Sequence, residues 1–337
     1  DGNWSLKING LLQTRWTSTD NDAAVAPVDG SQWAFNNQRS WWHMSGTIAG
    51  DYSFDIRENL FSNGANNNDA GWANGSMNLN DDWTLTMGSM KVASSRQAMI
   101  GDQNQLTLDR QNVTAFVPAS ALVTAGYTVG QGAQLAYTGD DLRVMGQVFN
   151  NFANVATAAN NSSFAMNVRA EFMVEGSGWG QFDEFTSADG GAAGTLIGLS
   201  YLTFDDGDTG AAGTNRTGGI DMLTVDAQMQ FGGSNLYVSY MDFADNNTAG
   251  ATNTDSDTLC VMYGMYLDSD WEIYGRYIDS DGSAVGPLNG SNMSIGLNNY
   301  LAGQNCKWTT EMTWNNSAVG ANTDITEIGR ASCRERV

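Results

Sequence analysis

The sequence predicts an all-β protein, a transmembrane antiparallel up-and-down β-barrel of about sixteen strands with a long loop folded into its lumen. Three observations predict it. Short runs of alternating apolar and polar residues recur from Trp4 to the end of the chain. The connections between these runs are long and short in turn. One stretch, residues 94–129, is too long to be an idle loop in a compact domain, and filling a wide barrel would give it a role.

Composition narrows the alternatives. The chain has 337 residues, 15 Lys plus Arg against 37 Asp plus Glu, and a formal net charge of -22. An acidic chain repels phosphate backbones, so nucleic acid is excluded as a partner. Aromatic residues make up 10 %, including 11 Trp, which excludes an acidic disordered chain. Cys260, Cys306 and Cys333 show no metal-binding spacing and read as unpaired small side chains. No apolar run reaches the roughly 18 residues of a spanning helix, which leaves a spanning barrel open. The start at Asp1, without Met or an apolar leader, fits a mature exported protein or a trimmed chain.

Each element follows from parity. Trp4, Leu6, Ile8, Leu12 and Trp16 share one face, and Ser5, Lys7, Asn9, Gln13 and Arg15 the other. A bilayer-crossing strand puts the apolar face outward between aromatic girdles, whereas a soluble sandwich would put it inward. After a polar loop, Asp20–Gln32, a strand runs through Trp42, Met44 and Ile48 to the turn at Ala49–Asp51; Tyr52, Phe54 and Ile56 then oppose Ser53, Asp55 and Arg57. A weak strand at Met77 and Leu79 leads to Trp83–Val92, and Ala133–Tyr137 turns at Gly139 into Leu142–Phe149. Phe164–Val174, Leu196–Phe204, Leu223–Phe231, Leu236–Phe243 and Leu259–Leu267 continue the alternation, with Gly232-Gly233-Ser234-Asn235 a hairpin turn. Trp271–Tyr277, Met293–Leu301 and Lys307–Trp314 follow, and residues from Asp324 would close the barrel. The connection Glu175–Gly194 is too long for its place among the short turns.

The candidate functional residues are the charges on the polar parity: Lys7, Arg15, Arg57, Arg143, Arg169 and Arg276 against Asp55, Glu171, Asp226, Glu272 and Glu311. They read either as a mixed-charge pore wall or as ion pairs holding that wall together. Arg96, Asp102, Asp109 and Arg110 lie in the long loop and are candidates for lining its narrowest point or pinning it to the wall. No cofactor is expected, except calcium as a candidate at the acidic tracts Asp205–Asp208, Asp255–Asp257 and Asp279–Asp281, whose other reading is solvated outer loops. His43, the single histidine, has no companion motif, and Gly176–Gly180 lacks the first glycine of a nucleophile elbow, so catalysis is not expected.

Met87-Gly88-Ser89-Met90-Lys91, Leu108-Asp109-Arg110-Gln111-Asn112-Val113 and Gly132-Ala133-Gln134-Leu135-Ala136-Tyr137 resemble the strand, constriction loop and next strand of the phosphate-selective porin O/P family. Asp183–Ser187, Leu223–Asp226, Gly232–Leu236 and Lys307–Thr310 look like further landmarks of that family. The resemblance implies a homotrimer of sixteen-stranded barrels in the bacterial outer membrane, each passing small hydrophilic solutes through a lumen narrowed by the loop. Anion or phosphate selectivity, as in the named family, is an alternative to the weak or mildly cation-preferring passage that the net charge predicts. A structural or adhesive surface barrel is a further alternative. Residues 1–328 are expected to form the single barrel domain. Residues 329–337 resemble a translated sequencing-adapter read-through and are expected to be a non-native tail.

Overall fold

The computed structural model describes residues 4–22, 32–60, 71–110, 129–150, 164–205, 219–245, 254–282, 290–317 and 322–336. Among the described residues, sixteen strands run in chain order. The first seven are β1 (Ser5–Asp22), β2 (Gln32–Ile48), β3 (Tyr52–Asn59), β4 (Trp72–Asn78), β5 (Trp83–Lys91), β6 (Val129–Thr138) and β7 (Leu142–Asn150). The next nine are β8 (Phe164–Glu175), β9 (Ala193–Asp205), β10 (Gly219–Phe231), β11 (Ser234–Asp245), β12 (Thr254–Tyr266), β13 (Trp271–Gly282), β14 (Gly290–Gln304), β15 (Cys306–Ser317) and β16 (Asn322–Arg336). Each pairs antiparallel with its neighbours in sequence, and β1 pairs with β16 from Asn9↔Arg336 to Asp22↔Asn322, which closes the barrel. Residues 329–336 therefore run within β16, their backbone paired to β1 and, through Cys333, to β15.

The two faces of each strand separate apolar from polar. On β8, Phe164, Met166, Val168, Phe172 and Val174 are exposed, while Ala165, Asn167, Arg169 and Glu171 are all 0 % exposed. Trp4, Leu6, Ile8 and Leu12 on β1 point away from the molecule, and Asn9, Gln13 and Arg15 are buried inside. A soluble sandwich would bury the first set, so this distribution excludes it. Among the described residues no helix is long and apolar enough to cross a membrane, and a barrel crosses with strands.

The acidic residues mark where the apolar band ends. On the outer face Asp242 of β11, Asp257 of β12 and Asp281 of β13 are directly opposite one another. Below this row β12 presents only Leu259, Val261, Tyr263 and Met265 outward, followed by Leu267 in the turn. From Leu259 to Leu267 the chain covers about 26 Å at the strand rise, or about 20 Å across the membrane at a tilt of about 40°. That approaches the apolar band of about 25 Å that outer-membrane barrels present.

Three expectations are corrected here. The polar loop placed at Asp20–Gln32 is shorter, because β1 continues to Asp22 and β2 begins at Gln32. Asp255–Asp257 and Asp279–Asp281 are strand residues of β12 and β13 rather than loop tracts, since Asp alternating with Ser and Thr still keeps a period of two. Asp255, Asp257, Asp279 and Asp281 face outward, and no group of His, Cys, Asp or Glu with metal-holding geometry occurs among the described residues. Asp206, Gly207 and Asp208 lie outside the described residues. At the β10–β11 hairpin, Gly232 (φ +67) and Gly233 (φ +124) both take backbone angles that side chains disfavour, which fixes this two-residue turn.

The wall is uneven in height. β3 to β7 have seven to ten residues, whereas β8 to β15 have twelve to fifteen. The loop after β5 enters the barrel where the wall is low. If the apolar face meets lipid, Val261→Arg at mid-band costs about 2–4 kcal/mol of folding free energy in lipid vesicles, and Asp257→Arg at the rim about 0–1 kcal/mol. Equal costs at both depths, measured by denaturant titration, would contradict this placement.

Candidate functional site

Beyond Lys91 the chain turns inward, and residues 92–108 are almost wholly buried inside the barrel. The backbone N–H of Ala93 donates to Gln147 Oε1 at 2.9 Å, and Ser200 Oγ donates to Ala93 O at 3.1 Å, so the loop starts against β7 and β9. Ser95 caps the single-turn helix α1 (Arg96–Met99), its hydroxyl accepting from the Ala98 N–H. Further on, Lys307 Nζ of β15 donates to Gln105 O at 2.8 Å, Asn298 Nδ2 of β14 to Leu106 O at 2.9 Å, and Arg276 Nη1 of β13 to Asp109 O at 2.7 Å. The loop thus meets most of the circumference. Residues 111–128, including the apolar patch around Phe116–Val123, lie outside the described residues.

Charges gather in three groups. The first lies between the loop and β1–β5. Arg15 Nη2 and Arg39 Nη2 reach Asp109 at 2.6 and 3.1 Å, Arg39 Nε and Arg57 Nη2 reach Asp102 at 3.6 and 3.3 Å, and Arg110 pairs with Asp102. The Arg57 guanidinium is sandwiched between the rings of Trp41 and Trp72, 4.5 Å from each centroid. Lys91 Nζ donates to Met99 O at 2.9 Å and lies over Trp72, whose indole N–H donates to Asp55. Four arginines (Arg15, Arg39, Arg57, Arg110), with the Lys91 amine buried beside them, therefore face three carboxylates (Asp55, Asp102, Asp109), an excess of positive charge among the described residues. Burial would raise the pKa of the Asp102 carboxyl, but Arg110, Arg39, Arg57 and Lys91 together hold it well below the usual range.

The second group is balanced. Arg169 of β8 forms a bidentate pair with Asp226 of β10 at 3.0 and 2.7 Å and donates from Nε to Glu171 at 2.9 Å. The pair spans β9 across Gly198, where a Cβ would collide with both partners. Arg143 also binds Glu171, Arg96 approaches Glu171 at 3.6 Å and Asp183 at 3.7 Å, and the Arg96 N–H donates to Asp226 at 2.8 Å. In the third group, Glu311 accepts from the Leu108 N–H at 3.1 Å and Tyr274 Oη at 2.7 Å, with Arg276 3.6 Å away. Glu272 accepts from Thr186 Oγ1 at 2.9 Å and Asn235 Nδ2 at 3.1 Å.

The charges on the polar parity turn inward, but few of them meet solvent. Arg169, Glu171 and Glu272 are 0 % exposed, and Arg57, Arg96, Asp102, Asp226, Arg276 and Glu311 are buried too. Taken as pore-lining, these nine are corrected to buried groups: Arg96 and Asp102 belong to the loop, which contacts Arg57, Glu171, Asp226, Arg276 and Glu311, while Arg169 is enclosed by Glu171 and Asp226, and Thr186 covers Glu272. Arg15 is buried against Asp109; Asp109, Arg110 and Arg143 keep partial exposure; Lys7 stands in the open near the short-turn end. Two members were missed. Arg39 shares a parity with Trp41 and His43 but precedes the strand residues read from Trp42 onward, so it was not counted among the lumen charges. Lys91 is out of phase with lumen-facing Met90 and carried no signal, since it turns inward only as the strand ends.

The profile of the family described as phosphate-selective porin O and P matches residues 12–189, just over half the chain. No protein with a curated description matches. Among solved structures, an anion-selective porin from Comamonas acidovorans aligns with a TM-score of 0.68 at 12 % identity, covering 99 % of this chain and 100 % of that one. A loop-deletion mutant of OmpT, an outer-membrane protein of Vibrio cholerae, aligns at 0.62 and 11 % identity, covering 99 % and 100 %. OccAB4 of Acinetobacter baumannii aligns at 0.58 and 9 % identity, covering 100 % and 99 %. At these identities the structures speak for the fold, and the family and fold together indicate a channel rather than an enzyme. The chain belongs to the phosphate-selective porin O and P family and is a channel-forming β-barrel of the bacterial outer membrane.

Proposed function

We propose that this porin is a passive diffusion channel for small hydrophilic solutes and ions with a preference for anions. The observation that carries it is the excess of positive charge between the loop and β1–β5, where four arginines face three carboxylates. This group borders the part of the lumen that stays open toward the short turns, where Ser5, Lys7 and Ser53 are exposed. Within a narrow, low-dielectric passage, charges a few ångströms from a solute outweigh distant ones.

The anion preference replaces the mild cation preference drawn from the net charge of -22. Much of that charge is far from the lumen. Asp242, Asp255, Asp257, Asp279 and Asp281 face outward at the rim, and Asp51, Asp81, Asp82, Asp140, Asp141, Asp268 and Asp270 sit at the short turns. The printed descriptions of the family and of the Comamonas acidovorans porin, phosphate-selective and anion-selective, favour the same reading. We further propose a homotrimer that meets its copies along the low wall of β3–β7. The Asp109, Arg110 and Asp102 contacts pin the loop on this reading, and Arg15, Arg39 and Arg110 set the sign of selectivity.

In planar bilayers across a KCl gradient, the reversal potential takes the sign of chloride preference, and the double change Arg15→Gln with Arg39→Gln lowers the chloride-to-potassium permeability ratio several-fold, by about 3-fold or more. Cation preference in the unaltered protein would sink the proposal. A barrel that carries no current would favour the structural or adhesive reading instead.

Asp102 gives a second test. Because its folded pKa is depressed below the ordinary aspartate value of about 3.9, its stabilisation is fully present above that value and is lost only as pH falls below it. Single-channel conductance is therefore steady, as far as Asp102 governs it, from pH 7 down to about 4.5. Asp102→Asn at pH 7 removes the shared partner of Arg39, Arg57 and Arg110, at a local cost on the order of 3 kcal/mol. The expected result is a noisier channel with stronger chloride preference; quiet traces with unchanged selectivity would show that Asp102 neither pins the loop nor tempers the local charge.

A further inference from the structure

The connection between β8 and β9 lies at the end of the barrel where the other connections are tight turns, yet residues 176–192 fold up into the lumen. Phe182 and Phe185 are fully buried there, and Thr186 and Ser187 nearly so. Donors from the wall hold its backbone: Gln228 Nε2 donates to Glu184 O at 2.6 Å, and Gln230 Nε2 to Gln181 O at 3.0 Å and Thr186 O at 3.1 Å; in return its own Trp179 Nε1 donates to Gly139 O, between β6 and β7, at 2.9 Å. Donors also join it to the constriction loop. Asn104 Nδ2 donates to Asp183 O at 3.0 Å, the Phe185 N–H to Asn104 O at 3.1 Å, and the Arg96 guanidinium to Phe182 O.

An apolar core cements the junction. Phe185 packs edge-on against Tyr237 with centroids 4.8 Å apart, among Ile100 and Leu106 of the constriction loop and Met262 and Tyr274 of the wall. Apolar residues on the lumen side of a barrel wall make sense only where something dry covers them. What is covered differs between the halves. Near the short turns, Gln230, Asn235, Glu272, Asn298, Tyr300 and Lys307 are all buried on the β10–β15 side. Across the lumen, Ser5, Lys7 and Ser53 are exposed and Thr84 is half-exposed.

We infer that residues 176–192 are a second constriction element, a floor that seals the β8–β15 half of the lumen from the short-turn side and confines solutes to the β1–β7 half, beside the cation excess. The inference rests on the channel reading above and adds the determinant of pore size. The loop sets the upper narrowing and this connection the lower one. Each supports the other through Asn104, Phe185 and Arg96. Asp183, whose side chain is 71 % exposed, stands at the wet edge of the floor.

The test is single-channel conductance in the full-length protein with residues 177–191 replaced by an Asn-Gly turn. The expected result is a conductance raised by about half or more, passage of larger uncharged polyethylene glycols, and an unchanged sign of the reversal potential. A conductance equal to that of the parent, or smaller, would overturn the inference. Asp183→Cys keeps the connection intact should the shortened barrel fail to assemble. A bulky thiol reagent added to that variant lowers its current while leaving the parent, with its own cysteines, unaffected; no block would equally overturn the inference. A parent protein that conducts nothing refutes the channel reading itself, a result distinct from either.

Discussion

Within hydrocarbon no water is present to satisfy a backbone N–H or C=O, so a spanning sheet must have no free edge. The pairing of β1 with β16 meets that requirement, and most other features follow from it. Once the sheet is closed, side chains alternate between lipid and lumen without exception for bulk or charge. Val168 and Arg169 are neighbours in sequence, yet one is 55 % exposed to lipid and the other fully enclosed among carboxylates. The interior therefore receives a dense array of polar groups whether or not they are needed for transport. Segments that fold inside must fit among them.

The constriction loop does so by exchanging hydrogen bonds with the wall. Lys91, Lys307, Asn298 and Arg276 donate to its carbonyls, and Glu311 and Asp226 accept from its N–H groups. Two of the three charged groups are consumed in this task, the second with its three cations and three carboxylates matched. Among the described residues a surplus of cations stands only against β1–β5, and there Asp102 alone is shared by three guanidiniums. Removing any one of these arginines leaves the carboxylate supported; removing the carboxylate leaves all three cations facing one another. The electrostatics of passage and the anchoring of the loop are thus properties of the same few atoms.

The fold was largely legible because period-two alternation is strong in strands such as β8, β10 and β12, and the alternation of long and short connections announced the topology. The site was legible in outline. Arg15, Arg57, Asp102, Asp109 and Arg110 could be read as lumen charges, yet nothing in the letters says which lumen charges another segment covers. Arg169 and Glu171 have the same pattern as open pore-wall residues and are sealed. Lys91 escaped because alternation lapses where a strand ends. The packing of residues 176–192 was illegible because it is held mostly through its own backbone carbonyls, which every sequence possesses. Net charge is a poor guide to selectivity because it counts aspartates outside the barrel equally with those inside.

The row of Asp242, Asp257 and Asp281 bears on how the barrel rides in its membrane. Like charges placed face to face on adjacent strands repel, and sinking by even one residue pair would drag them toward hydrocarbon as well. Because the row spans only β11–β13, it acts as a waterline on one flank. That flank resists submersion, so any rocking of the barrel must pivot there.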